Sequence, residues 1–270
     1  MKSIFINRIK YSLSLCLFMN VITAFGQKPP NVQTTSMQAP KRINIDGRSA
    51  EWGNKFEAYN NSTDVFYSIS NDDKYLYVIL QATNIDIINK IIKGGITVSV
   101  NPKEKEFLAG CKSITFPVIK LGNASTLIKL LDDKHDIKNN TLNYSSRVDS
   151  LTKLYNSQLE ISSSEIKIAN NDMAPDSLIS VYNDKHLLVA GALDNKEALT
   201  YEFKIPLRFL GMSYVKSAKV YYNIKLSGRP NLPPRPANDR VASAKTVGIT
   251  NYSAINLQVP TNFWGEYVLF

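Results

Sequence analysis

Trp52 and Trp264 are the only two tryptophans in the chain, against 14 tyrosines. Aromatic rings of this kind suit saccharides, because the apolar face of a pyranose stacks on an indole or phenol while polar side chains take the hydroxyls. Residues 229–240 hold four prolines and three arginines. Proline stiffens such a loop, and Arg229, Arg235 and Arg240 would present guanidinium groups to a sugar hydroxyl or an acidic sugar. Trp52, Trp264, Arg229 and Arg235 are therefore the candidate ligand-binding residues. Each has a plainer reading beside it: a tryptophan packed in the core, an arginine on a solvated loop.

Catalytic chemistry finds less support. The two histidines, His135 and His186, stand apart in ordinary settings, one in the acidic run Asp132–Asp136 and one at the start of an apolar stretch. No Gly-x-Ser-x-Gly elbow is present. Ser150-Leu151-Thr152-Lys153 matches a Ser-x-x-Lys pattern, but neither Ser-Asp-Asn nor Lys-Thr-Gly accompanies it. Paired carboxylates for glycoside hydrolysis meet in space and leave no mark in the sequence. The chain is expected to be non-catalytic. Zinc is disfavoured by the shortage of cysteine and histidine, and no metal ligand set is assigned. Asp132-Asp133 with Asp136, and Asn171-Asp172 with Asp176, are the candidates for calcium, although neither has the spacing of a calcium loop.

These groups need a scaffold, and the pattern predicts one of strands. Val65, Tyr67 and Ile69 share one face, and Tyr75–Leu80 is apolar on both. Period-two alternation recurs over 96–100, 200–205 and 219–226, which is the period of half-buried strands. Further strands are expected near 113–119, 159–168, 186–193, 254–259 and 266–270. Asn71-Asp72-Asp73 reads as a hairpin turn. Asn101-Pro102 and Ile205-Pro206 end strands, since proline cannot donate to the ladder. Ile85, Ile88, Ile91 and Ile92 recur at helical spacing, with Asn84 as N-cap and Gly94 as the stop. Leu127–Leu131 and Val148–Leu154 are two further short helices, within a polar insertion over about 122–158. The fold class is all-β: a two-sheet antiparallel sandwich, jelly-roll or immunoglobulin-like, with a closed barrel as the alternative.

The chain opens with a targeting signal. Lys2, Arg8 and Lys10 precede an apolar run from Leu13 to Phe25, and Ala24-Phe25-Gly26 offers a cleavage site before Gln27. The run is too short to span a bilayer. Cys16 lies inside it behind Leu15, which is not a lipobox. Residues 1–26 are thus read as a signal peptide, 27–40 as a flexible linker, and 41–270 as one domain, exported to the periplasm or the cell exterior. Removing the leader takes three cations from a net charge of +9. No dense basic cluster interleaves with aromatics, so a nucleic-acid partner is excluded. Cys111 alone then remains, which rules out an internal disulfide and reads as a small buried hydrophobe.

In order along the chain, five short elements resemble family 9 carbohydrate-binding modules and their relatives. Ile43-Asn44-Ile45-Asp46-Gly47 through Glu51-Trp52-Gly53 is similar to the opening IDG…EWG signature. Asn71–Val78 resembles the D-D-x-x-L-Y-V hairpin, and Gly95–Pro102 the strand ending in Asn-Pro. Tyr201–Leu207 with Leu210-Gly211 is similar to E-x-x-I-P…L-G, and Phe263–Tyr267 to the closing W-G-x-Y. The set also resembles exported proteins of the Bacteroidota type. The resemblance implies a β-sandwich that binds a carbohydrate or glycan, in that family between two aromatics, without a cofactor. It leaves open a second reading: a structural or protein-interaction module of the cell envelope that keeps the sandwich without a sugar site. A haem-binding relative of the fold is disfavoured, since no Met and His pair stands out.

Overall fold

A computed structural model describes residues 28–105, 111–137, 142–170, 178–228 and 259–270. The leader, Cys16, the Asn171–Asp176 group, most of the strand expected at 254–259, and Arg229, Arg235 and Arg240 lie outside the described residues.

Eleven strands are described, in two antiparallel sheets, as the alternation predicts. They are β1 (Ala58–Asn60), β2 (Val65–Asn71), β3 (Tyr75–Ala82), β4 (Ile96–Asn101), β5 (Lys112–Phe116), β6 (Glu165–Ala169), β7 (Leu178–Ser180), β8 (Leu188–Leu193), β9 (Leu199–Pro206), β10 (Lys219–Leu226) and β11 (Thr261–Val268). Sheet A runs β1-β2-β3-β9-β8, and sheet B runs β11-β10-β4-β5-β6-β7. Two separate sheets exclude the barrel.

The core lies between them. Tyr67, Ile69, Val78, Leu80, Tyr201 and Phe203 face it from sheet A, and Val98, Ile114, Tyr222 and Ile224 from sheet B; all are buried. Two hydroxyls meet across the gap, Tyr67 Oη and Tyr222 Oη at 2.8 Å. Tyr67 also accepts from the Gln33 backbone N–H at 2.9 Å. Burial pushes both phenols above their ordinary pKa, so the pair stays neutral.

Three α-helices pack on the sandwich. In α1 (Ile85–Gly94), the Asn84 side chain accepts from Asp86 N as the N-cap expectation requires, and Gly95 at φ 73° takes the C-cap. The two helices of the insertion are longer than expected: α2 is Leu121–His135 and α3 is Tyr144–Ser162. The strand expected at 159–168 is shortened, because α3 holds its first residues and β6 begins at Glu165. Leu127 and Leu131 of α2, and Tyr155 and Leu159 of α3, enter the same core as the sheets. A spacing of four places each pair on one helical face.

The lead expected to be flexible over 27–40 is pinned to the sandwich at a few points, while its other described side chains are exposed or half-buried. Gln33 is buried at 2 % exposure. Its Oε1 accepts from Ile69 N at 2.7 Å and its Nε2 donates to Ile69 O at 2.8 Å. One side-chain amide thus imitates a strand neighbour for β2. Further on, Gln38 bridges Asn71 in parallel.

Candidate functional site

The two sheets carry different outer faces, and the difference locates the site. On sheet A, outward Tyr77 and Ile79 of β3 are buried under Trp52, with Ile43, Ile45 and Phe56 packed around them. The segment carrying the IDG…EWG pattern therefore closes this face. Its anchor is Glu202 of β9, wholly buried. Trp52 Nε1 donates to Glu202 Oε1 at 2.9 Å, and the Asp46 and Gly47 backbone N–H groups donate to Oε2 at 3.0 and 2.9 Å. Burial raises the Glu202 pKa, while the three donors pull it back.

Gly47 sits at φ 77°, and a Cβ there would lie 2.5 Å from Gly191 and Ala192 backbone atoms. Only glycine meets both demands. The first and fourth sequence motifs thus touch each other and act as scaffold. Trp52 packs over the face of sheet A rather than its end, and its indole N–H is committed.

Trp264 lies elsewhere. In β11, Phe263 and Tyr267 turn into the core and Gly265 lies under the Tyr222 ring. Alternation then places Trp264 on the outer face of sheet B, half-buried. The two tryptophans stand on opposite sides of the sandwich and cannot clamp one sugar between them.

Strand register builds the surroundings of Trp264. One row across sheet B reads Trp264, Asn223, Ser99, Ser113. The row on one side reads Asn262, Lys225, Thr97, Thr115, Lys167. On the other side lie Glu266, Tyr221 and Asn101. The first row continues to Ala169 and the second to Leu178; the other residues, the two aromatics apart, carry an amide, hydroxyl, ammonium or carboxylate. Thr97 and Thr115 hydroxyls pair at 2.8 Å, and Glu266 pairs with Lys219 at 2.7 Å.

Asn223, in the row with Trp264, is wholly buried. Its Nδ2 donates to Asn262 Oδ1 at 3.0 Å and Phe263 O at 2.9 Å. Among the described residues its Oδ1 makes no hydrogen bond, and a buried acceptor without a donor costs about 1–3 kcal/mol.

Sequence reading missed Asn223, Ser99, Asn101 and Tyr221 as a group. Their signal was the polar half of each alternation, which marks any outward strand face. Among the described residues no group of three or more His, Cys, Asp and Glu side chains is placed to hold a metal ion. Asp132, Asp133 and Asp136 lie along the end of α2. Cys111 is half-buried, with its Sγ donating to Val100 O at 3.4 Å and its pKa raised by burial, the setting of an unreactive thiol. No described helix is long and apolar enough to cross a membrane.

No protein-family profile matches the chain, and no curated protein matches it. Among solved structures, the chain is similar to a carbohydrate-binding module of family 9 from Caldicellulosiruptor kristjanssonii, described in complex with glucose. The identity is 9 %, the TM-score is 0.37, and the match covers 87 % of this chain and 96 % of that one.

Proposed function

We propose that this protein is a non-catalytic module that binds a saccharide across the outer face of sheet B. The observation that supports this reading is Trp264 on the outer face of sheet B, flanked by the polar positions Asn262, Lys225 and Thr97 of the next row. A pyranose laid on the face would stack on Trp264. The half-buried Lys225 and Thr97 heads would take its hydroxyls. Arg229 and Arg235, in the stretch of sequence between β10 and β11, belong to the same proposal as ligand-binding residues. An exported address, periplasmic or extracellular, supplies such glycans.

A glycan array with the purified protein tests this, run with Trp264→Ala and Trp52→Phe. Trp264→Ala is expected to lose at least about tenfold in affinity, about 1.4 kcal/mol, with its melting temperature little changed. Trp52→Phe is expected to keep binding. No glycan bound, or equal binding by Trp264→Ala, refutes the reading. A protein captured in place of a glycan would favour the envelope-interaction alternative.

A further inference from the structure

A second recessed region lies at one end of the sandwich, away from the rows on sheet B. A hollow of about 450 Å³ opens where the β2–β3 turn meets the end of β9 and the segment after it. Its floor is apolar, from Leu207 and Met212, which are buried. Tyr75 and Tyr214 line it as well. Its charged heads are Lys74, Arg208 and Asp73, and His186 adds an imidazole. Lys204 adds an ammonium 4.2 Å from the Tyr75 ring centre. A second hollow of about 270 Å³ shares Asp73 and Tyr214 and adds Lys216.

The local sequence explains why these groups converge. Asp72 Oδ1 accepts from Lys74 N and Tyr75 N at 2.8 and 2.7 Å, and Oδ2 accepts from Tyr77 Oη at 2.9 Å. Asp72 is thereby spent on the turn, which fixes Lys74 at the rim. Tyr75 pairs with Pro206 in register, so the chain leaving β9 passes beside it, and the 3-10 turn Leu207–Leu210 sets Arg208 outward. His186 stands at φ 59° just before β8, whose Leu188 pairs with Lys204. Among the described residues, the Lys74, Arg208 and His186 side chains make no ion pair, although Lys134, Lys185 and Lys219 do.

We propose that this groove is a binding site for a small organic carboxylate with a ring or apolar body. Arg208 takes the carboxylate through its planar fork, and Lys74 adds positive potential. The body lies on Leu207 and Met212 between Tyr75 and Tyr214. The volume is that of a small-molecule site. Asp73, on the wall shared with the second hollow, disfavours a ligand carrying several negative charges. The site is independent of the saccharide reading.

The test titrates the purified protein with glucuronate and benzoate, with glucose and inorganic phosphate as separate arms, followed by isothermal calorimetry and by amide shifts. Both ring acids are expected to bind, shifting Arg208 and Tyr214, and to weaken severalfold as salt rises from about 0.05 to about 0.5 M. Arg208→Gln, and separately Lys74→Gln, are expected to weaken binding roughly fivefold or more with an unchanged melting temperature. Trp264→Ala is expected to bind benzoate as the parent does, which separates this site from the face of sheet B. Glucose shifting Arg208 and Tyr214 as the ring acids do, binding of phosphate with neither ring acid, or unchanged benzoate affinity in both variants overturns the proposal.

Discussion

At the scale of single residues, Glu202 decides the most. It stands at an outward position of β9, yet it receives donors from Trp52, Asp46 and Gly47. Glu202→Gln places an amide –NH₂ where one of these donors needs an acceptor. The expected loss is about 1–3 kcal/mol, read as a lower denaturant midpoint with an unchanged slope. An unaltered midpoint would mean that the contact contributes nothing. Trp52 stood out in the sequence as a ligand-binding candidate, with a packed core as its plainer reading; Glu202 did not stand out, because its partner lies 150 positions away. His135 offers a pH test. Its Nδ1 lies 2.8 Å from Glu197 Oε2, and that hydrogen bond raises the imidazole pKa above its ordinary value. A folded-state pKa above the unfolded one stabilises the protein fully below the ordinary value, and the contribution is lost as pH rises through the raised value. The stability difference between the parent and His135→Gln should therefore be largest near about pH 5 and shrink by about pH 8. Melting curves across that range check it, and a difference that does not vary with pH counts against the pairing.

At the scale of elements, β11 shows how a short motif is fixed by its neighbours. A Cβ on Gly265 would lie 2.1 Å from the Tyr222 ring, so glycine is needed there for space. Tyr267 Oη, two residues on, donates to Met37 O at 2.9 Å. Gly265→Ala is expected to cost about 1–3 kcal/mol through overpacking, with faster amide exchange concentrated in β11 and β10. Uniform exchange across both sheets would place the strain elsewhere. Strands were legible because their alternation has the period of the pleat, and α1 because four isoleucines repeat on one face. The lengths of α2 and α3 were less so. The buried face of α3 is Val148, Thr152, Tyr155 and Leu159, and a threonine and a tyrosine at helical spacing dilute an apolar stripe. Gln33 was hidden for a related reason. A polar residue among prolines reads as a lead, and only the β2 backbone beside it turns that amide into a clip.

At the scale of the molecule, the sandwich spends its two outer faces differently. Sheet A buries Ile79 and Tyr77 beneath the segment that carries Trp52, whereas sheet B turns outward rows of Asn, Ser, Thr and Lys interrupted by Trp264 and Tyr221. The run Tyr75–Leu80, apolar on both faces, signals that β3 is covered on its outer side, but not by what, because the cover comes from a distant part of the chain. Stability should divide along the same line. Ile79→Ala removes packed aliphatic volume and is expected to cost about 2–5 kcal/mol. Ser113→Ala and Lys225→Ala, on the outer face of sheet B, should each fall within about 1 kcal/mol of the parent. Denaturant unfolding of the three variants measures this. Equal losses on both sheets would make the face of sheet B a covered layer like that of sheet A, and would take from Trp264 the surface on which a saccharide must lie.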